Sequence, residues 1–328
     1  MSGLKYGLVG ESAAMRALDP QIRTAARCDL AVLVSGESGT GKELVARAIH
    51  LQSSRAKKPF VLLNCGTLPE TALELEIFGY ERAAFAGALH RKKGLLEAAR
   101  NGTIFLDEID ALSAGCQVKL LRVLQESVFR PVGRRSEISV DVRVIAATNR
   151  DLGREMAAGR FREDLYYHLA VLTINTPTLR SRPSDIPLLV RYFLEPGKKA
   201  SKRSQKHKIE DGAMAMLATY GWPGNVRQLR HVVERLRASS FKKSSITVGD
   251  IDKALPGATL TATSQVPVIF DKNDSIDQFL DRIMIQLYEQ LLAKTGNHTM
   301  TARVLRTDRV SLYQRIERAR RRLELARS

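Results

Sequence analysis

The chain is short of acid. Its 328 residues carry 52 Lys and Arg against 35 Asp and Glu, a formal charge of +17 at neutral pH. An excess of that size points to a polyanionic partner, nucleic acid first, without saying where it binds. Cysteine is scarcer still. Cys28, Cys65 and Cys116 are odd in number and form no CxxC pair. That argues against a disulfide scaffold or a zinc site and suits free thiols in a reducing cytoplasm. The six histidines are scattered without metal-ligand spacing. No apolar run nears the roughly 20 residues of a spanning helix, so no membrane partner is expected. The opening Met1–Tyr6 lacks the apolar block of an export signal. At 44% hydrophobic and 27% charged, the chain can nevertheless bury real cores, and its length predicts two or three domains.

Residues 30–35, 60–65, 103–107, 142–147 and 171–174 read as short buried strands, with helical patterns at 42–52, 115–126 and 151–158. Apolar strands alternating with helices predict an α/β fold, a parallel sheet covered on both faces. Pro177, Pro183 and Pro187 mark a change of texture. Beyond them the pattern is helical only, near 185–194, 210–220 and 225–238. Residues 198–208 hold six Lys and Arg and no acid, and read as an exposed loop. Residues 256–274 are rich in Thr and Ser around Pro256, Gly257 and Pro267, and read as a linker.

Chemistry concentrates after the first strand. Gly36-Glu37-Ser38-Gly39-Thr40-Gly41-Lys42-Glu43 opens a helix. Glycines there let the backbone turn its N–H groups toward phosphate oxygens, and the helix N-terminus adds partial positive charge. Lys42 would reach the β- and γ-phosphates of ATP. Glu43 stands where a Ser or Thr would ligate Mg²⁺. An apolar strand ending in Asp107-Glu108 follows Lys42 by 65 residues. Asp107 can hold Mg²⁺, and Glu108 can polarise the attacking water. Alone, an Asp-Glu pair after a strand is more simply a helix cap; beside a phosphate loop the catalytic reading prevails. Asn149 ends the next strand at the same sheet edge, where open α/β sheets bind ligands. There it could orient the water or sense the γ-phosphate.

These segments resemble one family. The phosphate loop, Leu106-Asp107-Glu108, Ala147-Thr148-Asn149, Phe161-to-Tyr167 and Trp222-to-Leu229 look like the AAA+ domain of bacterial enhancer-binding proteins, the activators of sigma-54 RNA polymerase. The likeness covers roughly 5–255 and the C-terminus. It makes Glu43 the family's usual residue and implies a homo-oligomeric ring, typically a hexamer, with ATP between subunits. It implies that Asn64 is a switch partner of Glu108, Arg227 a sensor of nucleotide in its own subunit, and Arg162 an arginine finger from the neighbour. The expected divisions are an α/β subdomain over 1–175, a helical lid over 176–255, the linker over 256–274 and a DNA-binding domain over 275–328, with no regulatory domain in front.

Two departures from the family bear on output. His168 stands where a second arginine is usual, which predicts weaker ATP hydrolysis. The surface loop that touches sigma-54, GAFTGA in the family, is here Ala83-Ala84-Phe85-Ala86-Gly87-Ala88. Phe85, Ala86 and Gly87 are the expected contacts. Loss of the first glycine stiffens the loop, and loss of the threonine hydroxyl removes a hydrogen bond.

The last segment restarts a helix near 275, with Ile276, Leu280, Ile283, Leu287 and Leu291 on one face. Gly296-Asn297 breaks it. A helix over 301–305, a turn over 306–308 and a helix over 309–316 resemble a Fis-type helix-turn-helix, with Ala302, Leu305, Val310, Leu312 and Ile316 packing the pair. Residues 301–328 hold nine arginines and three acids, a net of +6. Arg309, Ser311, Gln314 and Arg315 are the groove candidates. The resulting expectation is an ATP-driven regulator that binds upstream promoter DNA and acts on the sigma-54 holoenzyme. The alternative is a DNA-binding regulator, or a partner subunit in a mixed ring with a paralogue, that uses ATP as an assembly switch.

Overall fold

The computed structural model describes residues 6–195, 208–239, 245–255, 276–305 and 307–325. Internal contacts divide the chain into two compact units, Met1–Glu195 with Gly221–Val233, and Pro196–Tyr220 with Glu234–Ser328.

The first unit is built on five parallel strands, in spatial order Phe60–Asn64, Thr103–Asp107, Arg143–Thr148, Val32–Ser35 and Leu172–Asn175. All five lie where the apolar runs put them. Side chains alternate between two cores. Val32, Val34, Phe105, Ile145 and Ala147 pack with the helices Ala13–Arg27 and Lys42–Gln52. Leu33, Ile104, Leu106, Val144 and Ala146 pack with Glu70–Phe78 and Ala114–Glu126. The three central strands are buried on both faces and read as apolar runs, whereas the edge strands Phe60–Asn64 and Leu172–Asn175 carry exposed positions such as Leu62 and Thr173. The register brings Ser35, Asn64, Asp107 and Thr148 to the same edge. The three cysteines are free, and burial pushes the Cys65 thiol up to about 12.

This unit also holds elements that were not expected. The helix Ala13–Arg27 contains Pro20 and is capped by Ser12, whose hydroxyl accepts from Met15 N–H at 3.3 Å. The Phe85 loop leaves and rejoins through a pairing of Gly79–Tyr80 with Lys92–Lys93. A second hairpin, Val128–Phe129 with Ile138–Ser139, lies beside it: Glu81 N–H donates to Val132 O at 3.0 Å and Arg134 pairs with Glu81 at 3.0 Å.

The second unit corrects the expectation of helices alone. Lys208–Ile209 pairs in parallel with Ser245–Ile246, so Lys208 is strand rather than loop. Residues 198–207 and the linker over 256–274 lie outside the described residues. Thr247 and Asp250 form a capping box on the helix Val248–Ala254. Three C-terminal helices follow, Ile276–Thr295, His298–Val304 and Arg309–Leu325. The last is nine residues longer than expected, because its arginine-rich second half keeps helical propensity and Ala319, fully buried, continues the face of Leu312 and Ile316. The packing face of the first overlaps the expected stripe only in part: Leu291 is buried as expected, but Met284, Tyr288 and Leu292 meet Ala302, Leu305, Leu312 and Ile316, and Leu280 is 55% exposed. Val310, expected in the core, is 64% exposed. Gly296, at φ +62°, ends the first helix as anticipated.

Candidate nucleotide site

The glycine loop leaves the strand Val32–Ser35 and enters the helix Lys42–Gln52. Gly39 is where a side chain is least tolerable: its φ is +79°, and a Cβ would stand 2.4 Å from Gly224 O. The loop carries Lys42 inward to 8% exposure. Its Nζ donates to Gly36 O at 2.9 Å and to Glu37 O at 3.2 Å. Burial pulls the Lys42 pKa down, opposed chiefly by the charge of Asp107. Burial pushes Asp107 up, opposed chiefly by Lys42. Each is thus the other's main electrostatic partner, and Glu108 and Arg227 lie within the same field.

Glu108 occupies the left-handed region at φ +55°, and its N–H donates to Asp107 Oδ1 at 3.0 Å. Its carboxylate lies over Gly66, where a Cβ would stand 2.0 Å from Oε2. Asn64 faces the same glycine, but its Oδ1 accepts from Gly66 N–H at 2.8 Å instead of bonding to Glu108. Asn149 is exposed just beyond its strand. Its neighbours fix it in place: Thr148 donates to Asp110 at 2.6 Å, and Arg150 pairs with Asp110 at 3.3 Å.

A further face of the loop is supplied from far along the chain. The N–H groups of Val226 and Arg227, at the start of the helix Asn225–Ser239, donate to Gly39 O at 3.0 and 3.3 Å. Arg227 Nη1 donates to Ser38 Oγ at 3.0 Å. Asn225, fully buried, donates to Glu37 Oε2 at 3.1 Å and Ser38 O at 3.0 Å, and accepts from Leu179 N–H at 2.9 Å. Arg180 clamps both Glu37 oxygens, one at 2.7 Å, and with Asn225 holds the Glu37 carboxyl down to about 2. Asn225, Arg180 and Gly66 were not singled out from the sequence. Only the motif around Trp222 gave any hint of the first.

Arg162 precedes the helix Glu163–Leu169 and is exposed. It forks onto Asp164 at 3.0 and 2.6 Å. The Gln125 amide lies 2.9 Å from His168 Nε2, tying that ring to the helix Ala114–Glu126. At the tip of the first hairpin, Phe85 is 41% exposed, with its ring edge-on to Tyr80 at 5.1 Å. Ala86 and Gly87 are exposed, and Ala83 stands at φ +63°. In the second unit Arg309, Gln314 and Arg315 are exposed, whereas Ser311 is half-buried and donates its N–H to Asp308 at 2.9 Å.

Comparison with known proteins agrees with this arrangement. Residues 8–175 match a family described as the sigma-54 interaction domain, and residues 180–266 match the AAA+ ATPase lid domain. The transcriptional regulatory protein ZraR of Klebsiella oxytoca is 44% identical over 316 residues, covering 96% of this chain and 69% of that protein. The Nif-specific regulatory protein of Azotobacter vinelandii is 51% identical over 235 residues, 70% of this chain and 45% of that protein. The crystal structure of NtrX from Brucella abortus in complex with ADP superposes with a TM-score of 0.72 at 34% identity, covering 95% of this chain and 69% of that one. The fold is thus an AAA+ P-loop domain with a helical lid. More particularly, the chain belongs to the family of sigma-54 enhancer-binding transcription regulators.

Proposed function

We propose that the chain is an ATP-dependent regulator that binds upstream promoter DNA and remodels the sigma-54 RNA polymerase holoenzyme from an oligomeric ring in the cytoplasm. What carries this reading is the gathering of Lys42, Asp107, Glu108 and Arg227 into one electrostatic cluster at the glycine loop, on a chain of this family. ATP phosphates would take the N–H groups of Gly36 to Glu43, drawing Lys42 from the carbonyls of Gly36 and Glu37. Asp107 offers the hard oxygen donors that Mg²⁺ requires. Bound there, the ion would neutralise charge on the phosphoryl oxygens. Glu108 polarises the attacking water, Asn149 orients it, and Asn64 is the group to which Glu108 withdraws. Arg227 senses nucleotide within its subunit. Arg162 acts from a neighbouring subunit, exchanging Asp164 for the γ-phosphoryl. His168, bound to Gln125, leaves the finger role to Arg162. The subunits would form a homo-oligomer, a hexamer in this reading, with Phe85, Ala86 and Gly87 meeting sigma-54.

Residues 275–328, with the helices Ile276–Thr295, His298–Val304 and Arg309–Leu325, would form the DNA-binding domain of a four-part chain, following an α/β subdomain to 175, a lid to 255 and a linker to 274. Arg309, Gln314 and Arg315 would enter the groove. Asp308 caps the helix by accepting from the Ser311 N–H, and the Ser311 side chain would lie beside the bases. Open-complex formation in vitro with sigma-54 polymerase and hydrolysable ATP tests the proposal. Ala83 at a positive φ and Ala86 in place of a hydroxyl favour a second reading. In it the chain binds DNA and enters a mixed ring with a paralogue, with ATP as the assembly switch. Site-specific DNA binding without open complexes would select the second reading.

A further inference from the structure

The phosphate loop is braced by a residue outside every motif considered above. Thr176 follows the strand Leu172–Asn175 and is 4% exposed. Its N–H donates to Ser35 O at 2.9 Å. Its hydroxyl lies 3.1 Å from Ser35 O and 2.7 Å from Thr40 Oγ1. Thr40 is equally buried, and its own hydroxyl donates to Glu37 O at 2.8 Å. A hydroxyl has one proton. Ser35 O already accepts from the Thr176 N–H, and the Thr40 contact to Glu37 O is shorter than that of Thr176 to Ser35 O, so Thr40 gives its proton to Glu37 O and Thr176 is assigned as the donor across the pair. A chain of two hydroxyls therefore runs from the sheet into the loop and ends on Glu37 O. Gly36 closes over the same group, since a Cβ there would stand 2.1 Å from Thr176 Oγ1. Glu37 O is also one of the two carbonyls to which Lys42 donates. When Lys42 turns to a phosphate, the Thr40 hydroxyl at 2.8 Å and the longer Thr40 N–H contact at 3.4 Å remain as that carbonyl's donors.

We propose, on the nucleotide-site reading above, that Thr176 is a positioning residue for ATP: through Thr40 it fixes the turn Gly36–Thr40 in the shape that presents N–H groups to phosphate. A fixed turn serves bound substrate and transition state alike, so the effect falls on affinity and KM, with kcat nearly unchanged. One net hydrogen bond corresponds to about five-fold.

The test uses the full chain with four changes: Thr176→Val, which keeps the shape and loses the hydroxyl; Thr176→Ser, which keeps the hydroxyl; Thr40→Val; and the double variant Thr176→Val with Thr40→Val. ATP dissociation constants come from equilibrium dialysis, and KM and kcat from steady-state hydrolysis. Thr176→Val is expected to weaken ATP binding and raise KM about five-fold, with kcat within two-fold. Thr176→Ser should stay within two-fold of the wild type, and the double variant should bind no more weakly than Thr40→Val alone. The proposal is overturned if Thr176→Val binds as the wild type does, if Thr176→Ser loses as much as Thr176→Val, or if the two losses multiply. Should Thr176→Val fail to fold, Thr176→Ala against Thr176→Ser decides, equal affinities overturning it. A wild-type chain that retained no ATP would sink the nucleotide site itself; wild-type retention with an unaltered Thr176→Val sinks only the role of Thr176.

Discussion

Glu37 belongs to the glycine loop, yet its side chain serves other elements, accepting from Arg180 and Asn225. Those donors hold its pKa at about 2, against 4.5 in the unfolded chain. A carboxyl depressed by folding adds stability above the unfolded value, and that contribution is lost as pH falls from about 4.5 toward 2. Glu37 is well exposed, so solvent screens the ion pair and the contribution is small. Glu37→Gln is therefore expected to flatten the acid limb of the urea midpoint between pH 5 and pH 3; an unchanged limb would refute the assignment. Ala83 is the opposite case, a residue out of place. Its φ of +63° is a region where an L side chain costs roughly 1–2 kcal/mol. The glycine alternative loses more entropy on folding. Ala83→Gly should still raise the urea-unfolding free energy by up to about 1 kcal/mol, and a fall would show that the loop holds no strain.

At the scale of elements, the sheet was legible because its three central strands are buried on both faces and so keep apolar runs. The phosphate loop and Asp107-Glu108 were legible because their chemistry fixes spacing within a few residues. Thr176, Arg180, Asn225 and Gly66 were not, since their partners lie up to 188 residues away and no local pattern announces a contact across the sheet. The helix Ala13–Arg27 escaped for another reason: Pro20 reads as a breaker. It is held from outside by Asp185, which is 1% exposed and accepts from Glu11 N–H at 2.7 Å, Ser12 N–H at 2.8 Å and the Ser12 hydroxyl at 2.7 Å. Arg182, also buried, pairs with it at 3.8 Å. Asp185→Ala would leave a buried guanidinium and three donors without their acceptor. The expected loss is about 3–5 kcal/mol in chemical unfolding. A loss under about 1 kcal/mol would mean that the start of the helix is solvated and the pair dispensable.

At the scale of the molecule, the excess charge suggested a polyanion before any element was placed. The helix Arg309–Leu325 now gives part of it a structure: Arg309, Arg315, Arg318 and Arg321 are exposed along it. Among the described residues no helix is long and apolar enough to cross a membrane. The earlier assignment of Val310 to the core fails because it lies at the open start of this helix, beside Arg309. Phosphate contacts and base contacts separate by their response to salt. Each neutralised phosphate adds about 0.9 to the slope of log K against log salt, whatever the sequence. A base contact changes the preference among sequences and leaves the slope alone. Once a preferred site is selected with the full chain, Arg315→Ala is expected to lower the slope by about one, weakening preferred and random duplexes together. Gln314→Ala is expected to cost about 1–3 kcal/mol on the preferred duplex, with the slope unchanged. Fluorescence anisotropy at several salt concentrations reads both quantities at once. A preferred duplex bound equally well by wild type and both variants would remove this helix from the groove and leave the charge excess to be explained elsewhere.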